Sequence, residues 1–382
     1  MSAALLTLAV GLAPPPTFTL NLSAPAETRW RGAVGLVLAA HPFNESFGPT
    51  FAEHNVTLFS KLTERQYHTM SSALKTHWPE QANELRGIAS DFAAAGHFVS
   101  FEYLVAWVYF HALAHTPLLS ADADTRECTG ILARTASGGV LHVANMDQSP
   151  MSVRNITLHV KFVFGNGSLA FEGADWYWIT TGVSRAVKGG VASLQENWRT
   201  THPRPLDTVL TEIADGVGTP QMFVFRQALG ALTTFDAVHA YVSSVRLFAP
   251  YYVVAAGAHG EGNVIARGIS SVDGEAVLGD HTDPWFVVQT NYDHWKSDSK
   301  LDPRRTHAEG TMRALGSAMA GSTVGLYAAA SSYPVHNPHT AFTALMDPST
   351  GAFNALVRDA MCPVDGSALA GSDSRYCTAA AA

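Results

Sequence analysis

Two apolar runs flank a glycine-bearing turn near the middle of the chain. Thr129-Gly130-Ile131-Leu132-Ala133 precedes Ser137-Gly138-Gly139, and Val140-Leu141-His142-Val143-Ala144-Asn145-Met146-Asp147 follows it. Paired glycines between apolar runs predict a β-hairpin with Ser137-Gly138-Gly139 as the reversal. The register that follows sets Asp147 directly across from Cys128, so a thiol and a carboxylate meet at the open end of two strands. Upstream, residues 101–113 are apolar except at Glu102 and His111. The stretch is short of the about 20 apolar residues that a membrane span needs, and it reads as a buried core helix. Between this helix and the hairpin runs the polar segment Ser120-Ala121-Asp122-Ala123-Asp124-Thr125-Arg126-Glu127, where an exposed, cleavable linker would lie. Residues 3–13 read as the apolar core of a signal peptide ending in small residues, with a buried strand as the alternative.

Composition narrows the function classes. The 382 residues contain no linker, repeat or low-complexity tract, so one large domain is the simpler reading. Only 15% are charged and 47% are hydrophobic, ample for a buried core. A net charge of −8 supplies no basic face for nucleic acid, and it falls towards neutral as the 17 histidines protonate in acid. No pair of histidines has zincin spacing, so metal catalysis is unsupported and no metal site is expected. Asn21, Asn44, Asn55, Asn155 and Asn166 each begin an Asn-X-Ser/Thr sequon, together pointing to a glycoprotein of the secretory pathway. In that oxidising setting Cys362 and Cys377, close together near the end, are expected to pair. Such a closure is worth about 3 kcal/mol and pins the tail. Cys128 stands apart, and on its own it reads either as a small buried hydrophobe or as a nucleophile.

Later segments bear on that choice. Cys128-Thr129, Asn145-Met146-Asp147, and Asn291-Tyr292-Asp293-His294-Trp295 followed by Leu301-Asp302-Pro303-Arg304-Arg305-Thr306 resemble the family of acid ceramidase and N-acylethanolamine-hydrolysing acid amidase, in the choloylglycine-hydrolase branch of the N-terminal-nucleophile hydrolases. The resemblance runs nearly end to end. Phe18-Thr19-Leu20-Asn21-Leu22-Ser23 with Arg29-Trp30 looks like the start of the mature family chain, Glu84-Leu85-Arg86-Gly87-Ile88-Ala89 like a helix before the nucleophile, and Ala249-Pro250-Tyr251-Tyr252 and 260–267 like two later strands. Thr350-Gly351-Ala352-Phe353, Val357-Arg358-Asp359 and Cys362 are similar to the ceramidase tail.

The resemblance implies an α+β fold, a four-layer αββα N-terminal-nucleophile sandwich with a helical N-terminal segment. It divides the chain into a signal peptide (1–13), an α-subunit-like segment (14–127) and a nucleophile-bearing β-subunit-like domain (128–382). It implies cleavage between Glu127 and Cys128 by the cysteine itself, after which the new α-amine serves as base for its own thiol. An α-amine near 7.7–8.0 and a thiol near 8.5 exchange a proton with little driving force. Asp147 would hold that amine, Asn291 would donate to the oxyanion and Arg304 would organise the site. No cofactor is implied. The expected reaction is hydrolysis of ceramide to fatty acid and sphingosine in a lysosomal or secreted setting. An N-acylethanolamine amidase is the alternative within the class, and an impaired lipid-binding homologue the alternative outside it. Membrane-surface contact through residues 101–113 and two fragments held together non-covalently are the partner expectations.

Two departures accompany the likeness. The family has an arginine just before the Asn-Met-Asp triplet, where this chain has Ala144; that loss removes a cation which would lower the thiol pKa. Arg304 and Arg199 are the candidates to compensate. The family's Asn-Glu-Arg run corresponds to Asn197-Trp198-Arg199, which puts Trp198 at the glutamate position unless Glu196 replaces it.

Overall fold

The computed structural model describes residues 13–119, 128–280 and 282–358. Residues 3–12 of the signal-peptide reading, the linker with Glu127, and the pair Cys362 and Cys377 lie outside the described residues.

The N-terminal segment supplies β1 (Thr17–Asn21) and six helices: α1 (Ala33–Ala40), α2 (Phe47–Thr57), α3 (Glu64–His77), α4 (Pro79–Ala94), α5 (Phe101–Val108) and α6 (Phe110–Ala114). Local chemistry sets their starts. Thr63 and Gln66 close a reciprocal capping box at α3, Pro79 takes the first turn of α4, and Ser100 caps α5 by accepting from the Tyr103 N–H. The apolar stretch read as one core helix is buried as expected but divides at Tyr109 into α5 and α6: Leu104, Val105, Ala106 and Trp107 are fully buried, and His111 nearly so. No helix among the described residues is long and apolar enough to cross a membrane.

After Cys128 come β2 (Thr129–Arg134), β3 (Val140–Asp147), β4 (Leu158–Val163), β5 (Leu169–Asp175), β6 (Arg185–Lys188) and β7 (Ala192–Trp198). Three helices follow, α7 (Leu206–Asp215), α8 (Gln221–Ala231) and α9 (Phe235–Ser244). The chain ends through β8 (Tyr251–Gly257), β9 (Gly262–Arg267), β10 (Val272–Val277), β11 (Phe286–Gln289), α10 (Arg304–Ala320), α11 (Thr323–Ala330), β12 (Thr340–Asp347) and β13 (Ala352–Val357).

These strands form two sheets, one of eight in the order β1-β4-β5-β6-β7-β8-β9-β10 and one of five in the order β11-β2-β3-β12-β13. Leu132, Val140, Val254, Val264 and Val287 fill the space between them. Helices α10 and α11 cover the other face of the small sheet, packing Met312, Leu326 and Ala329 on Ile131, Val143 and Val288. The remaining helices cover the large sheet around Trp30, Trp107, Trp176 and Trp178. The four-layer α+β sandwich expected from the sequence is therefore the observed architecture. Among the strands described, pairing is antiparallel except at β1, which adds in parallel to β4. The N-terminal segment thus shares a sheet with the later strands.

The predicted hairpin is β2–β3, but its register differs by one residue. Thr129 pairs with Asn145, so the place across from Cys128 falls to Met146 and not to Asp147. The turn explains the slip. Thr135 N–H bonds the Gly139 carbonyl at 2.8 Å, and Gly138 takes the left-handed conformation at φ 87°. Residues 136–138 therefore make a three-residue loop with glycine at its left-handed position.

Candidate active site

Cys128 sits immediately before β2, 2% exposed and in the left-handed region at φ 63°. That conformation costs an ordinary residue about 1–2 kcal/mol, so the surroundings must impose it. Its Sγ lies 2.6 Å from Arg185 Nη2 and 3.5 Å from Met146 Sδ. Its carbonyl accepts from Arg304 Nη1 at 3.1 Å.

Arg304, the first residue of α10, gathers the other expected residues. Nε and Nη2 donate to the two carboxylate oxygens of Asp302 at 2.6 and 2.9 Å, Nη1 to Asp147 Oδ2 at 3.0 Å, and Nη2 to Asn291 Oδ1 at 2.7 Å. Burial works against the guanidinium charge, but hydrogen bonding to Asp302 and the charge of Asp147 outweigh it and hold the group above its ordinary pKa. Asp147 is fully buried and also accepts from Thr340 Oγ1 at 2.6 Å and Asn337 Nδ2 at 2.9 Å. Asn291 Nδ2 donates to the Trp198 carbonyl at 2.9 Å. The Cys128 carbonyl, a carboxylate, an amide and a guanidinium are thus tied together by direct bonds, in a region where charge is worth far more than in water.

A second arginine reaches the sulfur. Arg185, the first residue of β6, is fully buried, and besides Cys128 it donates to the Glu196 carbonyl at 3.0 Å and to Ser184 Oγ. Ser184 in turn donates to Asp175 through its N–H at 2.9 Å and through its hydroxyl, and the Tyr177 N–H adds a bond at 3.1 Å. Burial raises the Asp175 carboxyl, with Arg185 pulling the other way. Burial likewise pushes Glu196 up to about 8, Arg185 opposing it and Asp175 adding to it. His111 Nδ1 lies 3.5 Å from Glu196 Oε1 and is pushed down to about 3 by burial, with His115 and Arg185 assisting. Although charged partners at that distance would form an ion pair, burial drives both groups towards their neutral forms, and among the described residues neither atom has a hydrogen-bond partner.

Four of the five residues expected from the sequence therefore meet at one place: Cys128, Asp147, Asn291 and Arg304. Glu196 joins through Arg185, its carbonyl bonded to the guanidinium and its carboxyl against His111. Arg199, one of the two candidate compensating cations, is elsewhere; it donates to Asp293 Oδ1 at 2.8 Å and pairs with Asp273. Trp198 stacks on His115 with ring centroids 4.1 Å apart and contributes its carbonyl to Asn291. Ala144 is fully buried, opposite Gly130 on one side and Ala344 on the other. Arg185 escaped sequence reasoning. The signal for it was an arginine in the run Val183-Ser184-Arg185-Ala186-Val187, since a charge in a buried strand must have partners.

Comparison with known proteins finds relatives of the chain. No protein-family model matches the chain. It is 32% identical over 224 residues to N-acylethanolamine-hydrolyzing acid amidase of Caenorhabditis elegans, covering 58% of this chain and 61% of that protein. It is 31% identical over 254 residues to acid ceramidase of Heterocephalus glaber, covering 62% of each. The match thus spans about three fifths of the length of these curated relatives. Among solved structures, that of a Caenorhabditis elegans N-acylethanolamine-hydrolyzing acid amidase ortholog aligns with a TM-score of 0.52 at 30% identity, covering 58% of this chain and 93% of that one.

Proposed function

We propose that this chain, which belongs to the family of acid ceramidase and N-acylethanolamine-hydrolysing acid amidase, hydrolyses the amide bond of a lipid with Cys128 as nucleophile. The observation that carries the reading is the placement of the Cys128 sulfur and carbonyl between Arg185 and Arg304, with Asp147 and Asn291 bound to Arg304.

In this reading the thiol first attacks the Glu127 carbonyl and the chain passes to sulfur as a thioester, freeing the Cys128 amine. Water then releases Glu127 as a carboxylate and returns the thiol. The mature site takes a lipid amide. The thiol proton moves to the α-amine, the sulfur adds to the amide carbonyl, and the oxyanion is met by Asn291, a contribution of a few kcal/mol when the donor is fixed in advance. The ammonium returns its proton to the departing amine. Hydrolysis of the acyl thioester completes the turnover with release of fatty acid. Arg304 touches both the Cys128 carbonyl and Asp147, so it sets the carboxylate beside the residue whose amine it would steady.

Ceramide is the proposed substrate, releasing sphingosine. N-acylethanolamine hydrolysis is the second reading, favoured by the likeness to the solved Caenorhabditis elegans amidase ortholog and by the Asn291–Trp295 wording. An impaired lipid-binding homologue draws its support from Ala144, and Arg185 at the sulfur weakens that support. A lysosomal or secreted location with a cleaved signal peptide belongs to the same proposal. Asn21, Asn44, Asn55 and Asn166 are exposed for glycosylation, whereas Asn155 is half-buried with its amide nitrogen on the Glu45 carbonyl at 2.7 Å. The test is hydrolysis of a ceramide and an N-acylethanolamine, side by side, by wild type and Cys128→Ala. Turnover of either by wild type alone supports the reading. Binding of both with turnover of neither leaves the binding-protein reading in its place.

A further inference from the structure

We propose that Arg185 is a positioning residue that keeps the Cys128 sulfur as a thiolate and fixes its direction, acting across from the large sheet. The proposal rests on the reading of Cys128 as the nucleophile.

A fully buried guanidinium needs an anion, because an unpaired charge in a low-dielectric interior is costly. The groups facing Arg185 are Asp175 on β5, Tyr177 after it, Glu196 on β7, His111 on α6, His142 on β3 and Cys128. His111 and His142 are neutral, burial pushing the first down to about 3 and the second to about 4. Tyr177 is a phenol. Glu196 offers Arg185 its carbonyl, while its carboxyl, which burial pushes up to about 8, lies against His111 Nδ1 at 3.5 Å. Asp175 spends its oxygens on Ser184 and on the Tyr177 N–H, reaching Arg185 through the Ser184 hydroxyl. Sulfur is therefore the ionisable atom to which the guanidinium donates directly, at 2.6 Å.

The other buried arginine does not duplicate this contact. Arg304 directs its nitrogens to the Cys128 carbonyl, Asp147, Asp302, Asn291 and, more distantly, Thr129. The division of labour is thus spatial: Arg304 anchors backbone and carboxylate from α10, and Arg185 meets the sulfur from β6. Met146 Sδ, 3.5 Å from the sulfur, adds a soft apolar contact within the hairpin. Because β6 belongs to the large sheet and Cys128 to the small one, this ion pair also sets where the nucleophile lies between the layers. The Sγ proton goes to solvent or, once Cys128 is the terminal residue, to its own amine.

The test is the thiolate absorbance near 240 nm of the full chain against pH, as a difference from Cys128→Ser so that tyrosines and other thiols cancel. Wild type is expected to titrate below the ordinary thiol value of about 8.5. Arg185→Met is expected to move the midpoint up by about 1–3 pH units, and Arg185→Lys to restore most of that shift by supplying a charge without the fork. A folded Arg185→Met with the wild-type midpoint overturns the proposal. Should that variant not fold, the wild-type curve still decides, since a midpoint at or above the ordinary thiol value overturns it alone. A low midpoint in a chain that turns over neither lipid amide leaves the thiolate pair standing and removes the hydrolase reading. Turnover with an ordinary midpoint does the reverse.

Discussion

Arg304 and Arg185 are buried cations that survive because each is surrounded by acceptors, and removing either leaves its partners exposed to that same burial cost. Arg304→Ala strands Asp147 and Asp302 together. We expect it to lower stability by about 3–5 kcal/mol in chemical denaturation and to reduce lipid-amide turnover by at least roughly 100-fold. Arg313→Ala, whose side chain is half-exposed and paired with Asp283 and Glu309, should cost under about 1 kcal/mol. Comparable losses in the two variants would deny Arg304 its organising role. At Ala144 the expectation is a loss. The family would have an arginine there, but this position is fully buried beside Gly130 and Ala344. Ala144→Arg would force another guanidinium into a packed layer that already receives Arg185, so turnover should fall, measured against wild type on the same lipid. Cys128, Asp147, Asn291 and Arg304 were legible in the sequence because each belongs to a run of matching neighbours. Arg185 was not. It stands at the start of a short strand with no motif around it, and only tertiary packing brings it to the sulfur.

The β2–β3 hairpin carries the nucleophile, so its seating against the large sheet matters more than its own pairing. Gly130 lies where a Cβ would come within 2.5 Å of Gln195 Oε1. That side chain cannot swing aside, because it bonds His142 Nε2 at 3.0 Å and Asn197 Oδ1 at 2.5 Å. Gly130→Ala should therefore push β2 away from β7, costing about 1–3 kcal/mol and reducing turnover with the backbone two residues from the sulfur displaced. Thermal unfolding and kcat/KM both read it; wild-type values for both would mean that the sheets tolerate the shift. The same hairpin shows how far sequence reasoning reaches. Apolar runs and paired glycines identified the strands, whereas register depended on which glycine took the left-handed turn position, a choice set by backbone geometry. The buried helices α5 and α6 were legible as one apolar stretch because residues 101–113 are interrupted only by Glu102 and His111, and the break at Tyr109 left no mark in that pattern. The parallel addition of β1 to β4 was not, since five residues of strand pattern do not specify a distant partner.

At the scale of the molecule, cleavage before Cys128 would leave two pieces joined without a covalent link. Parallel pairing of β1 with β4 joins them, as do Trp30 packed on Trp178 and the buried Glu84 bound bidentately by Arg226 at 2.6 Å. Cleaved protein should elute as one species in native buffer and separate in denaturing gels without reductant. Separation only on reduction would point to a covalent link. Peptide mapping without reduction should likewise join Cys362 to Cys377 and leave Cys128 out. Acid should weaken the assembly, because burial pushes His54 and His142 down to about 4 and His111 and His115 to about 3. Their folded values lie below the unfolded one near 6.5, so their contribution is complete above pH 6.5 and is lost as pH falls towards 4. Glu196, raised to about 8, acts oppositely, its contribution complete below about 4.5 and lost as pH rises through 8. The Asp175 carboxyl, raised by burial, acts with Glu196, so four histidines oppose two carboxyls. The histidines outweigh them below about pH 6.5, and the unfolding temperature should peak between about pH 6.5 and 7 and drop by at least about 5 °C at pH 4.5; a flat profile would contradict the neutral burial of these histidines. The most direct test of the whole account is the intact mass of the chain after acidic incubation. Wild type should yield a fragment beginning at Cys128 and Cys128→Ala should stay whole, whereas a wild-type chain that remains uncut at every pH yet hydrolyses lipid amides would contradict the terminal-nucleophile mechanism.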